Sequence, residues 1–334
     1  MNGLSYKNKM KDKQLKLIVQ IPAYNEESTI AQVIKNIPRR IPNINEVKVL
    51  VIDDGSTDKT FEEAKKSGAD YIYKSTVNKG LGKNFQKGIE ISLKKGGDII
   101  VNIDGDGQFN PKDIPVLIQP ILKGEADMVT CSRFINPGLT KNMPMLKKWG
   151  NKRFTNLISR ITGKKFSDTQ CGFRAYNKEA ALRMNLNGKF TYTQEVFIDL
   201  AEKGMRIKEM PLEVVYHRDR KSHISNKLFS NYGLKSLAII AKATRDTQPL
   251  TFFGLPGLII FVLGVIGGII SFIYWLTHFV TTPIRMLFNV SVFFVIFGLS
   301  LGVLALLADM LKTIKINQEE ILYKLKKEEV DGIR

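Results

Sequence analysis

From Thr247 to Ile284 the chain carries no Asp, Glu, Lys or Arg, and after Arg285 a second such run extends from Met286 to Ala308. Phe252–Leu276 is 25 residues, about 37 Å as a helix and long enough to cross a hydrocarbon core. Met286–Ala308, at 23 residues, suffices as well. Paired core helices of a soluble protein rarely show two adjacent charge-free runs of this length, so 252–276 and 286–308 are expected to form a transmembrane hairpin. Both flanks of a hairpin lie on one side. They carry Lys235, Lys242, Arg245, Lys312 and Lys315, against the single Arg285 in the connector 277–285. The positive-inside bias therefore places the N-terminal region and the C-terminal tail in the cytoplasm of an integral membrane protein, at the cell membrane if the source is a prokaryote. Met1–Lys16 is polar and lysine-rich, and no cleaved signal peptide is expected there. Cys131 and Cys171 are the only cysteines, which fits a reducing compartment and supplies no metal cluster.

The formal charge of +18 is concentrated. Residues 139–166 hold Lys141, Lys147, Lys148, Lys152, Arg153, Arg160, Lys164 and Lys165 with no acid. No nucleic-acid-binding motif accompanies this charge, so nucleic acid is not the expected partner. A membrane surface and phosphorylated ligands are.

Before the apolar runs, short β-branched stretches alternate with helical ones. Leu15–Ile21, Val47–Ile52, Tyr71–Tyr73, Asp98–Ile103 and Asp127–Cys131 read as strands. Helices are expected over Thr29–Ile37, from Asp58 to Ser67, over Leu81–Leu93, and from Pro111. Such alternation predicts an α/β fold with a mostly parallel sheet, whose ligands sit at the carboxyl ends of its strands. Asp53-Asp54 ends one strand and Asp104-Gly105-Asp106 follows another, which suggests one shared site. Two carboxylates separated by one residue can approach a hard cation, Mg2+ or Mn2+, from one side, and Gln108 can add an amide oxygen. An EF-hand starting at Asp104 would need Gly at Phe109 and Glu at Pro115, and fails on both. Lys79-Gly80-Leu81-Gly82-Lys83-Asn84 fails as a P-loop at Val77 and Asn84, and as a dinucleotide fingerprint at Phe85.

Leu228, Phe229, Tyr232, Leu237, Ile240 and Ala241 recur at near-helical intervals among Lys227, Lys235 and Lys242, as in a helix lying on a membrane. Gly264-x-x-x-Gly268 and Gly298-x-x-x-Gly302 would permit close helix contact in the spans, including association of two copies. The expected organisation is a polar tail over 1–14, an α/β domain over 15–220, a juxtamembrane region over 221–248, two spans within 249–309, and a tail over 310–334.

In order along this pattern come Pro22-Ala23-Tyr24-Asn25-Glu26, Asp53-Asp54-Gly55-Ser56, Asn78-Lys79-Gly80-Leu81-Gly82 and Asp104-Gly105-Asp106-Gly107-Gln108. Ser132-Arg133-Phe134 and Asp168-Thr169-Gln170-Cys171-Gly172-Phe173-Arg174 follow. Together, over residues 15–245, they resemble the family 2 glycosyltransferases of the GT-A fold, and most of all the dolichyl- and polyprenyl-phosphate sugar synthases. The resemblance implies that Pro22, Tyr24, Glu26, Asp53, Asp54 and Lys79 hold a GDP- or UDP-sugar donor with Asp104. It implies that Asp104, Asp106 and Gln108 carry the metal and diphosphate, and that Asp106 and Arg133 are catalytic. Arg133, Lys147, Asn151, Arg174, Ser225 and Lys227 are the implied contacts of the acceptor phosphate. The stretch Arg218–Lys227 resembles the family's basic Ser-Lys loop in a longer form.

The expected activity is inverting transfer of one mannose- or glucose-type sugar to a polyprenyl phosphate at the cytoplasmic membrane face. A phosphate acceptor is already anionic near neutral pH and needs no strong general base, whereas a hydroxyl-bearing glycolipid would need one. Glu195 is the residue for that alternative, although its place at a helix start equally suits capping backbone amides. A processive synthase is disfavoured by the absence of Gln-x-x-Arg-Trp, and a non-enzymatic scaffold by the presence of Asp104, Asp106 and Arg133 together.

Overall fold

The computed structural model describes residues 14–136, 138, 143, 145–186, 192–214, 245, 248–280 and 282–332, with Leu146 and Lys147 described in backbone only. Ser225, Lys227, the basic loop that contains them and most of the predicted juxtamembrane helix lie outside the described residues. The chain divides into two compact units, Met1–Ser222 with Leu322–Arg334, and His223–Ile321.

The first unit is built on β1 (Lys16–Ala23), α1 (Ile30–Asn36), β2 (Glu46–Asp53), α2 (Thr60–Lys66), β3 (Tyr71–Lys74), α3 (Leu81–Lys94) and β4 (Ile99–Asn102). A 3-10 turn, Pro111–Asp113, leads into α4 (Ile114–Leu122), followed by β5 (Met128–Ser132), α5 (Met145–Thr162), β6 (Arg174–Asn177), α6 (Lys178–Arg183), α7 (Tyr192–Glu202) and β7 (Ile207–Pro211). The seven strands form one sheet in the order β3-β2-β1-β4-β6-β5-β7. Pairing is parallel throughout except where β6 runs antiparallel to β4 and β5. The predicted α/β class with a mostly parallel sheet is therefore observed.

The continuous apolar runs of β1 and β2 belong to strands covered on both faces. Leu17, Val19 and Ile21 enter one core with α1 and α4, whereas Ile18 enters another with Leu50 and Ile52. Phe85 and Ile89 of α3 pack with Ile158 of α5 and Val196 and Phe197 of α7 in a third cluster. Cys131 and Cys171 are free and buried.

Strand β6 is not expected from the sequence, because Arg174-Ala175-Tyr176-Asn177 is too short and mixed to give a period-2 signal. Its register sets Arg174 opposite Asn102, two residues before Asp104. The loop 167–173 is thereby carried back to the carboxyl end of β4, where the acidic residues lie.

The second unit contains a π-helical turn (Leu250–Gly254), α8 (Leu255–His278), a 3-10 turn (Thr282–Ile284) and the start of α9 (Arg285–Asp331). Both helices are long and apolar enough to cross a membrane, and most of their apolar side chains are exposed. Buried core helices of a soluble domain would show the opposite. A Cβ on Gly264 would lie 2.7 Å from Val295 N, and one on Gly298 2.6 Å from Phe261 N, so these glycines let α8 and α9 touch. A Cβ on Gly268 or Gly302 would meet nothing within 4 Å. The predicted pairs are thus split: Gly264 and Gly298 serve contact inside the hairpin rather than between copies.

The predicted C-terminal tail is part of α9, and its last turns belong to the first unit. Tyr323 is buried, donates to Glu179 Oε2 at 3.0 Å and lies under the Arg183 guanidinium at 4.1 Å. Lys326 donates to Met184 O and Asn185 Oδ1. Tyr323→Ala is expected to destabilise this unit by about 2 kcal/mol, and Tyr323→Phe, which keeps the ring contact, by about 1 kcal/mol. The earliest transition in thermal unfolding of the full chain measures both.

Candidate active site

The loops that follow β1 and β2 are laced to one another. Asn25 N donates to Ser56 Oγ at 3.0 Å, and Glu26 N to Thr60 Oγ1 at 2.8 Å. Asn25 itself sits at φ 55°, in the left-handed region that Asn tolerates better than most residues. Asp53 is buried and accepts from Ser56 N through Oδ1, while its Oδ2 has no partner among the described residues. Asp54 accepts from Lys79 N and Gly80 N, each at 2.9 Å, and so fixes the entry to α3. Gly55 is required there, at φ 74°, because a Cβ would come within 2.9 Å of Val77 C.

A cleft of about 200 Å3 opens beside Asp54, lined by Tyr73, Ser75, Lys79, Lys83, Asn84 and Lys87. Lys87 is not singled out by the sequence motifs and Lys83 only within the string that fails as a P-loop, although their spacing of four on α3 puts them on one helix face. Tyr24 is 39% exposed at the end of β1, and Pro22 lies within that strand.

The Asp104 loop is pinned from the same side. Thr29 Oγ1 donates to Gly105 O at 2.8 Å and to Glu26 Oε2 at 3.1 Å. Asp106 Oδ1 accepts from Gln108 N at 3.0 Å, which turns the chain after the second carboxylate. Asp104 Oδ1 is buried without a partner among the described residues. Burial first, and then the Asp106 charge, push the Asp104 carboxyl up to about 7; Arg174 pulls it down and Glu26 adds a smaller push. Burial and the neighbouring like charge both disfavour a second negative charge in this pair, which a divalent cation would offset.

Behind Asp104 stands a buried polar scaffold. Gln20 Nε2 donates to Asn102 Oδ1 at 3.0 Å, and Asn102 Nδ2 donates to Gly172 O at 2.9 Å. A Cβ on Gly172 would lie 2.6 Å from Asp104 Oδ2. Tyr192 is buried nearby, and its hydroxyl is pushed up, first by burial and then by the Asp104 charge. Sequence reasoning misses Gly172 and Tyr192 as site residues, because their proximity to Asp104 arises only from the antiparallel insertion of β6 and from α7.

Two of the expected acceptor contacts, Arg174 and Arg133, are buried. Arg174 is fully buried, with Nε donating to Cys171 O and Nη2 to Thr169 O, and its guanidinium lies 4.8 Å from the Phe197 ring. It supports the loop behind Asp104 and does not offer a surface grip for a phosphate. Arg133 at the end of β5 is also buried and is held bidentately by Asp168, at 2.6 and 2.9 Å. Asp168 and Ser167 are fixed in turn by Glu209 through backbone amides. Buried charges persist only when paired in this way.

Asn151 on α5 is buried, and its Nδ2 has no partner among the described residues. Glu195 is half-buried in the first turn of α7. Among the described residues no three His, Cys, Asp or Glu side chains are grouped to hold a metal by themselves. A cation at Asp104 and Asp106 would complete its shell from a ligand, as diphosphate sites do.

Comparison with known proteins agrees with this geometry. A family model described as Glycosyl transferase family 2 matches residues 18–183. The UDP-N-acetylglucosamine–dolichyl-phosphate N-acetylglucosaminyltransferase of Methanococcus voltae is 34% identical over 226 residues, spanning 62% of this chain and 88% of the relative. The dolichol-phosphate mannosyltransferase of Pyrococcus furiosus is 28% identical over 251 residues, spanning 73% and 69%. In fold, the crystal structure of glucosyl-3-phosphoglycerate synthase from Mycobacterium tuberculosis with uridine diphosphate matches with a TM-score of 0.53 at 24% identity, covering 72% of this chain and 82% of that one. With the acidic strand ends, the parallel sheet and these relatives in agreement, the chain belongs to glycosyl transferase family 2 and is a glycosyltransferase.

Proposed function

We propose that the protein moves one hexose from a nucleoside diphosphate sugar to a polyprenyl phosphate at the cytoplasmic membrane face, with inversion at the anomeric carbon. The observation that carries this reading is the buried Asp104 Oδ1, without a partner among the described residues, beside Asp106 in a site where burial and like charge raise the Asp104 pKa. These residues suit Mg2+ or Mn2+, with Gln108 as a further oxygen donor. Such an ion, when bound, supplies charge neutralisation for a departing diphosphate.

The nucleoside end is assigned to Pro22, Tyr24, Glu26, Asp53, Asp54 and the lysine-lined cleft at Lys79. Asp53 and Asp54 order the loops around that end through backbone amides. The acceptor phosphate is assigned to α5, where Asn151 Nδ2 lacks a partner and Lys147 lies one helical turn before it. Arg133, held by Asp168, orders the end of β5 toward that acceptor. The relatives from Methanococcus voltae and Pyrococcus furiosus are named for dolichyl- and dolichol-phosphate sugar transfer, which supports this acceptor class. The two apolar helices support a membrane location.

The test is a matrix of GDP-mannose, UDP-glucose and UDP-N-acetylglucosamine against polyprenyl phosphate and a hydroxyl-bearing glycolipid, read by mass spectrometry of the lipid product. One donor should label the polyprenyl phosphate. Product on the hydroxyl lipid alone would reject the phosphate reading and make Glu195 the candidate base.

A further inference from the structure

Glu209 lies on β7, the edge strand beside β5, in register with Thr130. Side chains alternate along a strand, and the neighbouring Lys208 faces the other way, where it meets Glu125 at 2.7 Å. Glu209 instead enters the loop that precedes β6. Its Oε1 accepts from Ser167 Oγ at 2.9 Å and from Asp168 N at 2.8 Å. Both of its oxygens accept from Ser167 N, at 3.0 and 2.8 Å. Among the described residues no Lys or Arg pairs with it. Burial pushes its carboxyl up against the pull of these hydrogen bonds, and the Asp168 charge adds to the push.

The turn held in this way holds Arg133. Asp168 accepts from Arg133 Nε and Nη2 at 2.6 and 2.9 Å, and from Arg133 N at 3.2 Å. Ser132 Oγ and Ser167 Oγ stand 2.6 Å apart and tie the end of β5 to the same turn. An unbroken run of hydrogen bonds thus leads from the middle of β7, through the 167–168 backbone, to a guanidinium at the carboxyl end of β5.

A turn that needed only an anchor would be held at less cost by a neutral acceptor, since a half-buried carboxylate without a cation is disfavoured. A carboxylate adds strength and direction. Charge-assisted hydrogen bonds are roughly twice as strong as neutral ones, and two oxygens fix a turn in rotation as well as in place. Rotation matters here, because Asp168 meets the planar guanidinium with both of its oxygens.

We infer that Glu209 is a positioning residue for sugar transfer, acting on the acceptor through Asp168 and Arg133. The inference rests on the assignment of Arg133 to the acceptor side of the site.

The test is a double-mutant cycle in the full-length protein, read as transfer to whichever acceptor the donor–acceptor matrix labels. Glu209→Gln keeps the shape of the side chain and gives up its charge and one acceptor oxygen. It is expected to raise KM for the acceptor by about tenfold to a hundredfold, the scale of a misaimed binding group. KM for the donor, and the affinity for GDP or UDP with Mg2+, should stay unchanged. Arg133→Lys leaves a cation against Asp168 but cannot fork across both oxygens, and should show the same acceptor-side loss. The double variant should be scarcely worse than Arg133→Lys alone, because Glu209 then has no guanidinium to aim. Additive losses would overturn the inference and leave Glu209 as an anchor of the fold. A donor KM that rises as much as the acceptor KM, the mark of a loosened domain, would overturn it too.

Ser167→Ala removes one bond to Glu209 and one to Ser132 without touching a charge, and should raise the acceptor KM by a smaller factor. An unchanged acceptor KM in that variant overturns the inference even if Glu209→Gln does not fold. Native transfer by Arg133→Lys would overturn both the inference and the assignment on which it rests. Product on the hydroxyl lipid alone would reject the polyprenyl-phosphate reading and leave the cycle to be read on that acceptor, so the two failures are separable.

Discussion

Asp106→Ala is expected to lower sugar transfer by a factor on the order of 10²–10³ or more while leaving the protein folded. Asp106 is half-buried at the end of the Asp104 loop, and truncation removes the short contact of its Oδ1 with Gln108 N. Its larger effect is electrostatic. The carboxyl of Asp104 stands at about 7 because of burial and, next, the Asp106 charge. In the metal-free native state Asp104 therefore binds its proton more tightly than in the unfolded chain, whose ordinary value is 3.8. Asp104's own contribution to metal-free stability is therefore fully present below about pH 4 and is lost as pH rises through about 7, where the native site is forced to ionise.

A divalent cation reverses that decline by binding the ionised pair. Thermal unfolding should consequently show a larger gain on adding Mg2+ at pH 8 than at pH 6. Asp106→Ala should shrink the gain at both. Wild-type transfer rates in the alanine variant, or a cation response unaltered by it, would remove the metal assignment. A native unfolding transition at low pH with lost turnover at pH 8 is the signature that separates a chemical defect from a folding one.

The residues of this site differ in how far the chain itself announces them. The placement of Asp53, Asp54, Asp104 and Asp106 at strand ends is legible because each pair follows a β-branched run directly. The α/β class is legible for the same reason: strand and helix periods alternate with short connections from Lys16 to Met128. The membrane-length helices are legible from charge alone.

The burial of Arg174 is not legible in the sequence, because composition cannot distinguish an exposed arginine from one buried against Phe197 and two carbonyls. That distinction depends on β6 running against its neighbours. The pairing of Arg133 with Asp168 spans 35 residues and two loops, a separation that no local pattern encodes. The docking of Tyr323 on α6 crosses 144 positions. Long-range polar pairs of this kind are invisible to periodicity, which reports only which face of an element is apolar.

Gly172→Ala is expected to cut turnover by about 100-fold, the scale associated with misplacing a catalytic group by roughly an ångström. The new methyl would sit 2.6 Å from Asp104 Oδ2 and 3.2 Å from its Cγ. Neither partner can yield cheaply. Asp104 is a short side chain leaving the end of a central strand, so moving its carboxylate means rotating it away from Asp106 or moving the strand end. The loop bearing Gly172 is held by Asn102 Nδ2 on its carbonyl, and Arg174 ties Cys171 O and Thr169 O beside it. The clash is therefore expected to be resolved at the carboxylate, at a stability penalty of about 1–3 kcal/mol. Half-saturation by Mg2+ or Mn2+ should rise along with the loss of turnover, since the displaced oxygen is one of the proposed ligands. Gly268→Ala, where nothing lies within 4 Å of the added carbon, serves as the control and should change neither quantity. A Gly172→Ala protein with native turnover and native cation dependence would show that Asp104 is not held where the reaction needs it, and that the site is organised around Asp106 instead.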